Sequence, residues 1–153
     1  MMKRILLSLL LCSVGFGAVA DWKYTEKVDE MRGKTQYFAS LAPEKENDGV
    51  AMTLRAYSDN DKDTYDIKFI LNGAKFDCKL GNICSGSMKI NNENVVELLI
   101  ETDKNDGSIA THVWAASVAT SVLSSEVVYL EVPIQGEGMV QFKYHPKGLK
   151  WSI

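Results

Sequence analysis

Period-two alternation of apolar and polar side chains dominates the middle of this chain, and it restricts the fold to one made of half-buried strands. Tyr65, Ile67, Phe69 and Leu71 carry the apolar phase, with Asp66, Lys68 and Ile70 between them, as in a strand with one face against a core. Asn72-Gly73 follows, two residues that accept positive φ and favour a tight turn. The alternation resumes with Ala74, Phe76, Cys78 and Leu80, so a hairpin of 65–71 with 74–80 is predicted. Cys84, Gly86, Met88 and Ile90 continue it beyond Gly81-Asn82, Val96, Leu98 and Ile100 beyond Asn91–Asn94, and Val50, Met52, Leu54 and Ala56 precede it. Residues 50–101 thus read as a meander of five strands.

The flanks extend the same pattern. Trp22, Tyr24, Glu26 and Val28 suit a first strand and 35–41 a second, turned at Gly33. A final hairpin runs from Val128, Leu130, Val132 and Ile134 through Gln135-Gly136-Glu137-Gly138 to Val140, Phe142 and Tyr144. Pro133 has no N–H to donate, which places that stretch at an open edge. Between the β regions, Trp114, Val118 and Val122 recur every four residues behind Thr111 as N-cap, so 111–125 is predicted as a short helix lying on the open face of the sheet. The expected fold is mainly β: an antiparallel β-sandwich or curved sheet of seven to eight strands with one short α-helix.

The first twenty residues carry a different message. Lys3 and Arg4 form a positive start, Ile5 to Leu11 an apolar run, and Ala18-Val19-Ala20 the small-x-small pattern cleaved by a signal peptidase before Asp21. The apolar stretch is interrupted by Ser8, Ser13, Gly15 and Gly17 and falls short of the roughly 20 apolar residues of a spanning helix. Cys12 follows Leu9, Leu10 and Leu11 rather than the small residues of a lipid-modified cysteine. The expectation is therefore a signal peptide at 1–20, a single β-rich domain at 21–153, and a periplasmic or secreted location without stable membrane insertion.

Removing Lys3 and Arg4 from the 17 basic side chains leaves 15 against 20 acidic ones, a net charge of −5. That balance and the absence of any basic run argue against a nucleic-acid partner. Of the three cysteines, Cys78 and Cys84 survive cleavage, and in an oxidising compartment such a pair is expected to bridge. Two thiolates with only His112 and His145 to add make a poor zinc set. A bridge closing so short a loop pins a turn rather than the whole domain.

Few residues suggest catalysis. His112 and His145 lie near no nucleophile motif, and surface or boundary positions are expected for both. Glu97, Glu101, Glu126 and Glu131 alternate with buried residues, which reads as solvated strand faces rather than a glycosidase pair. The run 59–66 places Asp59, Asp61 and Asp63 at alternate positions like a calcium loop, but Thr64 and Ile70 stand where an EF-hand needs Gly and Glu. A looser Ca²⁺ site adding Asp103, Asn105 and Asp106 is left open beside the plainer reading as turns. No cofactor is expected. Among the aromatic residues, Tyr57 and Tyr129 fall on the outward phase of their strands and are the candidate contact surface.

Phe76-Asp77-Cys78, the second cysteine at Cys84, the helical segment before a last hairpin, and the ending from Phe142 to Gly148-Leu149-Lys150-Trp151 resemble a group of small exported proteins of bacteria and their phages. The resemblance spans roughly the last 100 residues and implies a periplasmic all-β domain with no assigned reaction. Together these readings point to a non-enzymatic protein that binds another envelope macromolecule, as an inhibitor or immunity-type protein does. A small-ligand or Ca²⁺-binding domain is the alternative, and an envelope hydrolase the last choice.

Overall fold

A computed structural model describes residues 21–59, 66–113 and 116–150. In chain order they form β1 (Lys23–Asp29), β2 (Lys34–Leu41), β3 (Ala51–Asp59), β4 (Asp66–Asn72), β5 (Ile83–Ile90), β6 (Val96–Thr102), β7 (Ile109–His112), α1 (Ala116–Ser124), β8 (Val128–Ile134) and β9 (Gly138–Tyr144). The alternation read from the sequence sets which face is buried. In β3, Met52, Leu54, Ala56 and Ser58 point inward while Thr53, Arg55 and Tyr57 point outward. In β8, Val128, Leu130, Val132 and Ile134 do the same against Tyr129, Glu131 and Pro133.

All pairings are antiparallel, and the strands make one sheet of nine in the order β1-β2-β3-β4-β7-β6-β5-β8-β9. Of the two predicted architectures the curved sheet is therefore the one adopted, with nine strands rather than seven or eight and, among the described residues, no second sheet to make a sandwich. A twisted sheet of this width curls, and here its two ends meet. From β9, Tyr144 Oη donates to Met52 O of β3 at 2.6 Å. Just beyond β9, Trp22 Nε1 donates to Pro146 O at 2.8 Å. β1 and β9 share no ladder, so the curl stops short of a closed barrel. Instead the 42–49 loop covers the free edge of β9, through Glu44 N to Lys143 O at 2.7 Å and Asn47 Nδ2 to Gln141 O at 2.8 Å.

Phe69, Phe76, Phe142 and Tyr144 are the largest side chains fully enclosed by this curl, each stabilising the fold by roughly 1.5–3 kcal/mol through area removed from water. The helix closes the core with Ala119, Val122 and Leu123, an i, i+3, i+4 stripe. Two of its hydroxyls bond back to the preceding turn, Ser121 Oγ to Ser117 O at 3.1 Å and Ser124 Oγ to Thr120 O at 2.8 Å, a contact that adds no helix stability, so the segment is held helical by its packing on the core.

Four expectations are corrected. The segment 74–80 is not a strand paired with β4. It crosses the ends of β7 and β6, with Phe76 N on Gly107 O and Gly81 N on Thr102 O, so β5 lies three places from β4 and residues 50–101 form no simple meander. Cys78 thus sits in a connection rather than on a neighbouring strand, its Cα 6.0 Å from that of Cys84 with the sulfurs at bonding distance. The region predicted as one helix from Thr111 divides: Ile109–His112 is strand β7, with Thr111 opposite Lys68, and the helix begins at Ala116. Trp114, taken as part of its stripe, lies outside the described residues.

Nor does Pro133 stand at the predicted open edge: β8 is an interior strand, with Met139 of β9 opposite Pro133 on one side and the crossing segment on the other. The β5–β8 ladder ends at Ser87 opposite Glu131, and beyond it the crossing segment takes over, Asp77 N donating to Pro133 O and Gln135 N to Lys75 O. The place where Pro133 would donate a second bond to Asp77 is the one its ring leaves empty.

Candidate functional site

The outer face of β5, β8 and β9 is built by register. Lys89 stands opposite Tyr129, and Tyr129 opposite Lys143, while Ser87, Glu131 and Gln141 form the next row. Of these, Ser87, Lys89, Tyr129, Glu131 and Gln141, with Val95 from the turn after β5, line a groove of about 290 Å³. Tyr129 is its aromatic wall, with Lys143 Nζ 6.0 Å from the ring centroid, a geometry in which the ammonium is attracted to the ring face. Val95 is 66 % exposed at the rim.

Lys143 also links this groove to the seam where the sheet ends meet. Its Nζ lies 2.7 Å from Glu44 Oε2, and His145 Nε2 lies 2.9 Å from the same oxygen. The Lys143 ammonium, and after it His145, hold the Glu44 carboxyl down at about 2 from its usual 4.5, and Glu44 in turn raises Lys143. Glu44 and His145 form one wall of a second, larger cleft of about 560 Å³, whose floor is the outward phase of β1, β2 and β3: Lys23, Thr25, Ser40, Thr53 and Arg55.

A third cluster ties β3, β4 and β7. Tyr57 Oη donates to Asp66 Oδ2 at 3.1 Å, and His112 Nε2 lies 2.6 Å from Asp66 Oδ1. The His112 side chain is 3 % exposed against 45 % for Asp66. Burial depresses the imidazole, outweighing the Asp66 carboxylate that acts to raise it. Ring enclosure wins because the carboxylate is partly hydrated and shared with the Ile67 N–H. Burial, reinforced by Asp66, pushes the Tyr57 phenol up to about 12, and Lys68 Nζ sits 4.8 Å from its ring centroid. With His112 held towards neutrality and shielded, the cluster works as a tie between strands.

The two predicted contact residues therefore do not share a surface. Tyr57 is half-buried and engaged by Asp66 and Lys68, while Tyr129 lines an open groove on β8, separated from β3 in the sheet by β4, β7, β6 and β5. His145 holds the predicted boundary position, whereas His112 is buried at the end of β7 rather than opening a helix. Asp59 accepts from Gln36 Nε2 at 2.8 Å; Asp61 and Asp63 lie outside the described residues.

Asp103 and Asp106 make turns, Asp103 Oδ1 accepting from Asn105 N and Asp106 N, and Asp106 Oδ1 from Ser108 N and Oγ. That loop adjoins Leu71, through Leu71 N on Ser108 O, at the far end of β4 from Asp66. Five residues of strand, roughly 17 Å at 3.3 Å per residue, separate it from Asp66, next to whose partner Tyr57 the strand end at Asp59 lies, so of the joint cation set the described Asp59 stands apart from Asp103 and Asp106. Among the described residues no group of three or more His, Cys, Asp or Glu side chains is placed to hold a metal. Glu97, Glu101 and Glu126 are solvent-facing, and Glu131 half so.

No family model matches the sequence, and no curated protein or solved structure is similar to it. Among the described residues no helix is long and apolar enough to cross a membrane. The Lys23–Ser40–Arg55 row of the larger cleft was invisible in the sequence, because the three residues meet only through the register of β1, β2 and β3.

Proposed function

We propose that this protein is exported, loses residues 1–20, and works outside the cytosol as a non-enzymatic binding protein acting on another envelope protein, in the manner of an inhibitor or immunity factor. The observation that carries the reading is Tyr129, an aromatic wall in an open groove with Lys89 and Lys143 on either side of it in register. A tyrosine fixed on a rigid strand supplies contact area at little conformational cost and is over-represented among residues that dominate binding energy. Lys143 is already paired with Glu44, but Lys89, with no carboxylate at ion-pair distance among the described residues, favours a partner surface with an acidic group beside an apolar anchor. The Cys78–Cys84 pair and the leader support the compartment.

Replacing Tyr129 with a photo-crosslinking phenylalanine derivative tests this. Irradiation with envelope extract is expected to give one discrete protein adduct, suppressed by excess unlabelled protein and absent when the reporter stands at the exposed loop position Glu46. An adduct pattern at 129 indistinguishable from that at 46 would overturn the proposal.

A further inference from the structure

The cleft at the seam contains two cations that no described carboxylate neutralises. Lys23, Ser40 and Arg55 are successive register partners across β1, β2 and β3, so they stand in one row with neighbouring strands about 4.8 Å apart. Arg55 Nε donates to Ser40 Oγ at 3.2 Å, and its guanidinium carbon lies 6.0 Å from the Phe38 ring centroid. These contacts orient the guanidinium without cancelling its charge.

Among the described residues, no carboxylate lies within ion-pair distance of Arg55 or Lys23. Glu44 is occupied by Lys143 and His145; Asp21, also at the cleft, is the one carboxylate an anion would meet there unscreened. After Ser40, the Arg55 fork retains its paired Nη donors, the arrangement that fits two oxygens of a carboxylate or phosphate. The hydroxyls of Thr25 and Thr53 line the same cleft. Its volume of about 560 Å³ is in the range of small-ligand sites.

We propose that this cleft binds an acidic saccharide, a sugar whose carboxylate or phosphate is held by Arg55 and Lys23 while Ser40, Thr25 and Thr53 meet its hydroxyls. Processing before Asp21 adds a third cation, the new α-ammonium, beside the Asp21 carboxylate, and Trp22, hydrogen-bonded to Pro146, fixes it at the cleft mouth. That third cation rests on the export reading; Arg55 and Lys23 do not.

The test is an NMR titration of the purified protein with glucuronate, glucose 6-phosphate and glucose. The anionic sugars are expected to shift the Arg55 Nε–H and the Ser40 and Arg55 amides saturably, with glucose inert and added salt weakening both. The tighter of the two acids names the group the site prefers. Arg55→Gln is expected to weaken binding roughly tenfold through loss of the charged fork, and Lys23→Gln, at an exposed position that folding tolerates, about threefold. Glucose matching the acids, no saturable shift, or unchanged affinity in both variants overturns the site. Equal affinity with residues 1–20 still attached removes only the third cation, and leaves Arg55 and Lys23 standing.

Discussion

At Gly86 the absence of a side chain decides how tightly the sheet can curl. A Cβ there would stand 2.2 Å from Glu131 O, a backbone atom of β8, so any larger residue forces the β5–β8 ladder apart. Gly86→Ala is expected to lose about 3 kcal/mol, read as a lowered urea midpoint; a midpoint equal to wild type would refute the close approach. Glu44 acts through charge instead. Because its folded pKa, about 2, is depressed from 4.5, it favours folding above the unfolded pKa, and that contribution disappears as pH falls from about 4.5 towards 2. Glu44→Gln should flatten the melting-temperature profile across that window, and by less in high salt, since the carboxylate is exposed. An identical acid profile in the variant would show that Lys143 and His145 do not hold it.

Single elements show what local pattern can and cannot specify. β3 and β8 were legible because side-chain direction alternates within a strand whatever its neighbours are. The segment 74–80 has the same alternation and still crosses the sheet end, because its N–H groups find Gly107 and Pro133 carbonyls rather than β4. Thr111 and His112, the second half of β7, were misread as the start of a helix because four residues carry too little period to separate the two. The thiol pair belongs to this scale as well. With six residues of separation, the bridge is worth about 2 kcal/mol in the chain-entropy model. Reduction is expected to speed amide exchange at Phe76, Asp77 and Gly81 while leaving β1 to β3 protected. Uniformly faster exchange would mean that the bridge holds the whole domain.

For the whole molecule the seam is the decisive contact. Trp22 joins one end of the chain to the other, buried and bonded to Pro146. Trp22→Ala should lower stability by about 3 kcal/mol in a still single transition; a second transition would mean that the two halves of the sheet fold separately. The export reading predicts that the protein isolated from the envelope begins at Asp21, and a mass retaining Met1 to Ala20 in that fraction would contradict it. The Tyr129 groove and the Arg55 cleft are neighbours only across this seam, through Lys143 and Glu44.

The sequence by itself determined which faces of the strands are buried, where most of the turns fall and which two cysteines can meet, because those properties depend on residues a few positions apart. Only the tertiary structure decided that β4 pairs with β7, that β9 closes over β3, and that Lys23, Ser40 and Arg55 share one cleft. A ladder hydrogen bond is chemically the same whichever strand supplies the partner, so the choice among partners is made by how the entire sheet packs its core.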